Sequence, residues 1–204
     1  NEQQLEAVTA EPGAALVIAG AGSGKTRTLT YRVAYLLEKG YKPYNILLLT
    51  FTNKAAGEML TRVGQLVPQD MHGIWGGTFH AIGNRILRKY GELLGYTPGF
   101  SIMDREDQSS LITQVRKESG LGKDGKKQDK RFPRSSVLAD IYSITQNLDC
   151  DIDDILHERY LQLEEYFRDI KTIVRGYTKK KLDSNAVDFD DLLCQPLKLL
   201  EAHQ

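Results

Sequence analysis

The sequence predicts an α/β fold in which a parallel sheet is followed by an all-helical region. Three observations predict it. A glycine-rich loop at residues 19–26 lies between an apolar run and a helical pattern. Apolar strands then alternate with amphipathic helices as far as about residue 95, which is typical of a parallel sheet with helical crossovers. From Asp104 onward the apolar residues recur with helical spacing, and no segment has the alternation of a strand.

The glycine-rich loop is the strongest local signal. Residues 19–26 read AGAGSGKT, the Walker A pattern G-x-x-x-x-G-K-[ST] with Ala19 at its first position. Glycines let the backbone approach oxyanions closely, and the following helix directs its free N–H groups and positive dipole end toward them. Lys25 is expected to reach the β- and γ-phosphates, and the Thr26 hydroxyl to hold Mg²⁺. The alternative is a glycine-rich turn without a ligand.

The first half of the chain supports this interpretation. The apolar run Ala15–Ala19 is predicted to be a buried parallel strand that leads into the loop. A helix is predicted from Lys25 to Glu38, because its apolar residues recur at helical spacing. The remaining predicted elements are a strand at 46–49, a helix at 54–66, a strand at 74–78 and a helix at 79–94.

The second half is predicted to be helical. Asp104 is expected to cap a helix that runs to Ser119, a loop follows at 120–131, and further helices cover 134–148 and 192–202. A single long helix is predicted from Leu156 to Lys180. Its apolar stripe favours packing in a small helical bundle, with a coiled-coil seam as the alternative. The stripe consists of Leu156, Tyr160, Leu163, Phe167, Ile170, Val174 and Tyr177.

Composition limits the classes of function. The 204 residues contain 27 basic and 27 acidic residues, so a site for a polyanion must be local. Cys150 and Cys194 match no metal-binding or redox spacing and are expected to be reduced thiols in an intracellular, cytoplasmic protein. No apolar stretch is long enough to span a bilayer, and no signal peptide is recognisable.

Five segments, in this order, resemble the N-terminal part of the UvrD/Rep/PcrA family of superfamily 1 DNA helicases. The opening residues 1–8 resemble the family's Q motif, and residues 19–27 its phosphate-binding loop. Residues 50–59 resemble motif Ia, residues 77–81 motif Ib, and residues 188–193 the segment that returns from a helical insert. The resemblance covers most of the chain and is weakest in the helical region.

The resemblance implies a nucleotide site for ATP and Mg²⁺. Gln4 would read adenine, for which its amide has matching donors and an acceptor. Arg27 would lie near the nucleotide, beside the residues of the loop itself. An exposed Gln and a solvated Arg are the structural alternatives. The loop residues in this set are Ala21, Gly22, Ser23, Gly24, Lys25 and Thr26.

The resemblance also implies a site for single-stranded DNA. Phe51 would stack on a base, and Thr52 and Asn53 would bond to phosphates or cap the next helix. Thr78 and His80 would contact the DNA backbone, although a His at a helix start is usually structural. Basic residues in 123–134 and 179–181 are either a solvated surface or contacts to duplex DNA, which would make single-strand/double-strand junctions a partner.

By the family's plan, residues 1–95 and 183–204 would form an incomplete RecA-like domain, 1A, and residues 96–182 the helical insert, 1B. The family's acidic motif II and its arginine fingers are not recognisable in these residues. We therefore expect these 204 residues alone to hydrolyse ATP negligibly. The whole protein would be a 3′–5′ helicase of DNA repair or replication. The alternatives are the motor of a helicase–nuclease and a P-loop kinase or nucleotide-binding module without a DNA role.

Overall fold

The computed structural model describes residues 1–67, 71, 73–121, 123–124, 127–128 and 131–202. The chain forms two compact units, residues 1–82 and 83–204. The predicted assignment of 1–95 with 183–204 to one domain and of 96–182 to another stays a prediction.

The first unit has a β-α-β arrangement at its centre. Helix α1 spans Glu2–Thr9, α2 Lys25–Glu38, β1 Leu47–Thr50, α3 Asn53–Leu66 and β2 Trp75–Thr78, and α4 begins at Phe79. Strands β1 and β2 are parallel, with Thr50 opposite Thr78. Helices α2 and α3 bury their apolar faces with β1, which confirms the α/β class. This core contains Val33, Leu37, Ile46, Leu48, Met59 and Val63.

The predicted strand at Ala15–Ala19 is wrong. The segment has no strand conformation, and Leu16 and Ile18 are 87% and 88% exposed. A strand is stable only when a neighbour takes up its backbone hydrogen bonds. In the described part of the first unit, β1 and β2 pair only with each other. An apolar run reveals a preference for burial, and it cannot reveal whether a neighbouring strand is present.

The second unit is mostly helical. Helix α4 continues to Tyr90, followed by 3₁₀ turns at Gly91–Leu94 and, later, at Leu161–Tyr166. The longer helices are α5 (Arg105–Ser119), α6 (Ser135–Leu148), α7 (Ile152–Arg159), α8 (Phe167–Asp183) and α9 (Asp191–Ala202). Asp104 caps α5 with a capping box, as predicted. The short strands are β3 (Ser101–Ile102), β4 (Lys123–Asp124), β5 (Lys127–Gln128) and β6 (Ala186–Val187).

Two predictions for this region are wrong. The long helix at 156–180 is interrupted, because Tyr160 and Leu163 leave helical geometry between α7 and α8. Residues on both sides of the interruption still enter one core with α5 and α6, so bundle packing is confirmed over a coiled coil. The region is also not free of strands: β3 pairs in parallel with β6, and β4 pairs antiparallel with β5. Strands of two residues are too short for periodicity to reveal.

A buried ionic cluster joins α6, α8 and α9 inside the second unit. The Lys181 ammonium lies 2.7 Å from Asp188 and 2.6 Å from Asp191, and all three side chains are at most 4% exposed. Lys181 also donates to the Tyr142 hydroxyl, and Tyr177 donates to Asp188, at 2.7 Å each. Burial raises the pKa of Asp191, and the adjacent Lys181 ammonium only partly offsets this rise. Removing two carboxylates and an ammonium from water is costly unless each is paired, and here each is.

Three buried tyrosines make the stability of the chain sensitive to alkaline pH. Burial, followed by the charges of Asp191 and Asp188, raises the pKa of Tyr96 and Tyr142 above the ordinary value of 10. Burial and Asp188 do the same for Tyr177. The folded chain therefore keeps protons that the unfolded chain releases. The contribution to stability is fully present below about pH 10 and is lost as the pH rises toward the raised values.

We expect the free energy of unfolding to fall above pH 10 by up to about 1.4 kcal/mol per pH unit for each buried tyrosine. Urea unfolding at pH 8 to 11 measures this slope. Tyr142→Phe should make the slope shallower. Tyr44→Phe should not, since Tyr44 is 67% exposed. Equal slopes in the two variants would contradict the assignment.

Candidate functional site

The loop before α2 is shaped to receive an anion. Gly22 and Gly24 have φ angles of 74° and 86°, in the left-handed region that glycine adopts without strain. No heavy atom lies near the position of a Cβ at Gly20 or Gly22, so the backbone is open on that side. Helix α2 begins at Lys25 without a side-chain cap at Gly24. Its first N–H groups and its dipole are thus available to a ligand such as a phosphate.

Lys25 and Ser23 are held by the loop's own carbonyl groups. The Lys25 ammonium donates to the carbonyl oxygens of Ala19, at 3.0 Å, and Gly20, at 2.7 Å. The Ser23 hydroxyl also donates to Gly20, at 2.7 Å. All of these contacts are exposed. The ammonium therefore lies over the loop, where a phosphate could replace the carbonyl groups as its partner.

Gln4 connects helix α1 to this loop. Its amide nitrogen donates to the Ser23 carbonyl at 2.8 Å, and its amide oxygen accepts from Arg27 at 3.3 Å. Asn1 and Gln4 also form the capping box of α1, which fixes the position of Gln4. The structure thus brings Gln4 to the loop and to Arg27, which follow it by 19 and 23 residues in these two contacts.

A cavity of about 380 Å³ lies beside Gln4 and Arg27. Its volume is within the range of small-molecule sites. Tyr31, one helical turn beyond Arg27, contributes an aromatic wall that the sequence analysis did not assign. The signal was present, because residues four apart share a helix face. The lining consists of Asn1, Gln4, Leu5, Val8, Arg27, Thr28 and Tyr31.

Thr26 is the predicted Mg²⁺ ligand, and it lies exposed in the first turn of α2. Its hydroxyl can supply one oxygen, the type of ligand that Mg²⁺ prefers. Among the described residues, no group of three or more His, Cys, Asp or Glu side chains could hold a metal by itself. The arrangement fits a metal bound through the nucleotide phosphates together with Thr26.

The predicted DNA-binding residues meet at one edge of the sheet. Because β1 and β2 are parallel and end opposite each other at Thr50 and Thr78, the residues after both strands lie side by side. Thr52 accepts from the Ala55 N–H and caps α3, and Thr78 accepts from the Ala81 N–H in the same way. Asn53 and His80 are exposed in the first turns of α3 and α4. The capping role is therefore observed, and the DNA role stays a prediction.

An exposed aromatic pair stands at this edge. Phe51 is 91% exposed and Phe79 is 45% exposed, and their ring centroids lie 5.7 Å apart. Adjacent exposed apolar rings of this kind are candidates for contact with a ligand. Phe79 was not among the predicted site residues, although it occupies the position after β2 that corresponds to Phe51 after β1.

The basic segments are not a uniform patch. Lys181 is buried in the ionic cluster and cannot contact DNA, which corrects its place in the proposed basic surface. Lys180 pairs with Glu118 and Arg131 with Glu165, and Lys179 is exposed. Lys126 and Lys130 lie outside the described residues, as do the side chains of Lys123 and Lys127.

The three aspartates of residues 188–191 lie in two different environments. Asp188 and Asp191 are buried and exchange backbone-to-carboxylate hydrogen bonds of 2.9 Å at the start of α9. Only Asp190 lies toward the surface, where it accepts from Ser143 and Asn147.

Across the described ranges, no helix is both long and apolar enough to cross a membrane.

Comparison with known proteins agrees with the motifs. The family model for the UvrD/REP helicase N-terminal domain matches residues 1–204. An ATP-dependent DNA helicase PcrA of Staphylococcus epidermidis is 39% identical over 204 residues, which are 98% of this chain and 26% of the relative. The PcrA helicase of Staphylococcus aureus strain Mu50 is also 39% identical, over 202 residues, with the same coverage. The chain thus spans about a quarter of the length of these relatives. It belongs to the UvrD/REP helicase N-terminal domain family.

Proposed function

We propose that this chain is the ATP- and single-stranded-DNA-binding N-terminal part of an ATP-dependent DNA helicase or translocase. The observation that carries the proposal is the occurrence, in one compact unit, of an open phosphate-binding loop and an exposed aromatic pair at the carboxyl edge of parallel strands. Ligands bind at that edge in open α/β sheets. The relatives are named ATP-dependent DNA helicases, which supports the same activity.

In this proposal the nucleotide lies across the loop and the neighbouring cavity. Lys25 and the N–H groups at the start of α2 bind the phosphates, and Thr26 binds Mg²⁺. Gln4 releases the Ser23 carbonyl to bond with adenine, while Arg27 and Tyr31 flank the base. The bonds from Gln4 to Ser23 and from Arg27 to Gln4 support this, because they place the Gln4 and Arg27 side chains against the loop.

The DNA strand would cross the sheet edge. Phe51 stacks on a base, while Thr52, Asn53, Thr78 and His80 contact the backbone. The first unit would be part of a RecA-like domain, and ATP binding between two such domains would close them on the strand. When bound, Mg²⁺ neutralises charge on the phosphates during transfer to water.

Several finer points of the proposal rest on the family resemblance: 3′–5′ direction, a role in DNA repair or replication, binding at single-strand/double-strand junctions, and a cytoplasmic location. A negligible rate of ATP hydrolysis by these 204 residues alone also stays a prediction. A steady-state rate well above that of a Lys25→Ala variant in the presence of DNA would contradict it.

The test is single-stranded DNA binding by a Phe51→Ala variant. We expect it to bind an oligothymidine about 5-fold to 150-fold more weakly, because stacking contributes roughly 1–3 kcal/mol per base. Fluorescence anisotropy with a labelled oligonucleotide at low salt measures the change. Tyr44→Ala is the matched control, as it removes another exposed aromatic ring, 67% exposed, from the same unit.

Equal affinity of the Phe51→Ala variant and the unchanged chain would contradict the DNA site. If the chain bound ATP and no DNA at all, the kinase or simple nucleotide-binding module would be the better explanation. A helicase–nuclease motor gives the same result as a helicase in this assay, and cleavage of DNA by the full-length protein separates the two.

A further inference from the structure

One cavity of the second unit is lined by two thiols that are distant from each other in the sequence. Cys150 and Cys194 both border a space of about 330 Å³ between the end of α6 and α9. The Cys150 thiol donates to the Leu148 carbonyl at 3.2 Å, and the Cys194 thiol donates to the Gln146 carbonyl at 3.5 Å. Both acceptor carbonyls belong to the last turn of α6, which ends at Leu148. Both thiols are therefore directed at the same helix end.

The two cysteines differ in their access to solvent. Cys150 is exposed, whereas Cys194 is partly buried. Burial, and secondly the charge of Asp190, raises the pKa of the Cys194 thiol. Because Cys150 is exposed, it is the thiol that an external reagent meets first, and Cys194 reacts afterwards within the cavity.

We propose that Cys150 and Cys194 are a dithiol modification site, which a small-molecule disulfide such as glutathione disulfide converts to an intramolecular disulfide. The Cys150 thiolate attacks one sulfur of the reagent and releases one thiol, which leaves a mixed disulfide at Cys150. The Cys194 thiolate then attacks the Cys150 sulfur and releases the second thiol. The protein loses two protons and two electrons, and the reagent is reduced to two thiols.

The link would act on a packed contact that already exists. Helices α6 and α9 are joined by hydrogen bonds from Ser143 and Asn147 to Asp190, and by the Tyr142 contact with Asp191. A disulfide at the end of α6 would hold α9 covalently to the same surface. This inference does not depend on the proposed nucleotide or DNA sites, because all of its residues lie in the second unit.

The experiment treats the purified chain with glutathione disulfide at mildly alkaline pH, under native conditions. The expected product is a monomer lighter by two hydrogen atoms, in which a protease digest links the Cys150 peptide to the Cys194 peptide. Its melting temperature should rise by several degrees and return on addition of dithiothreitol, since the link restrains the unfolded chain.

Single variants separate the two steps. Cys194→Ser should stop at the mixed disulfide on Cys150, and Cys150→Ser should react slowly. The unchanged chain provides the decisive result even if a variant folds poorly. A product that carries only glutathione at Cys150, or a disulfide-linked dimer with no intramolecular link, would overturn the proposal.

Discussion

Lys181→Ala is expected to lower the free energy of unfolding by about 3–5 kcal/mol. The substitution leaves two buried carboxylates, Asp188 and Asp191, without their common cation. It also removes the donor to the Tyr142 hydroxyl. Breaking a buried ion pair by removing one partner costs more than the pair itself contributes, because the remaining charges cannot regain water. Chemical denaturation monitored by circular dichroism measures the loss.

Lys180, the residue before Lys181, provides a matched control for the Lys181→Ala variant. Lys180 has the same side chain on the same helix turn, and it pairs with Glu118 at a site where Glu118 is 57% exposed. Exposed pairs contribute about 0–1 kcal/mol, so Lys180→Ala should have a small effect. If the two variants were equally stable, the buried cluster would not be a major source of stability.

Lys25→Ala is expected to weaken ATP binding about 10-fold to 150-fold, without a comparable change in folding. The ammonium is exposed and bonds only to loop carbonyl groups in the contacts described, so its removal leaves no buried group unpaired. Charge-assisted hydrogen bonds to a ligand contribute about 1.5–3 kcal/mol. Titration calorimetry with ATP and Mg²⁺ measures the affinity.

Lys39→Ala is the control for this measurement, because Lys39 follows the opposite end of the same helix. It should bind ATP as the unchanged chain does. If both variants bound ATP equally weakly, the cause would be a general electrostatic effect. If Lys25→Ala bound ATP as tightly as the unchanged chain does, this loop would not be the phosphate site.

The helices of the first unit could be predicted because local signals agree with the fold. Helix α2 buries Val33 and Leu37 and helix α3 buries Met59 and Val63, at the helical spacing that the sequence shows. Thr52 caps α3. The meeting of Phe51 with the Thr78 region followed from parallel strands that end at one edge. The predicted strand at Ala15–Ala19 is wrong for the opposite reason. Whether this segment forms a strand depends on a neighbouring strand and not on its own residues.

The sequence by itself determined the chemistry of the candidate site. The order of loop, strand ends and helix starts is encoded in consecutive residues, so the candidate phosphate-binding loop and the aromatic at position 51 could be named without coordinates. The tertiary structure decided which charges are buried. Three consecutive lysines at 179–181 look alike in the sequence, and yet only Lys181 faces Asp188 and Asp191. The same holds for Cys194, because long-range packing brings it to the end of α6 beside Cys150, and neither local propensity nor spacing records it.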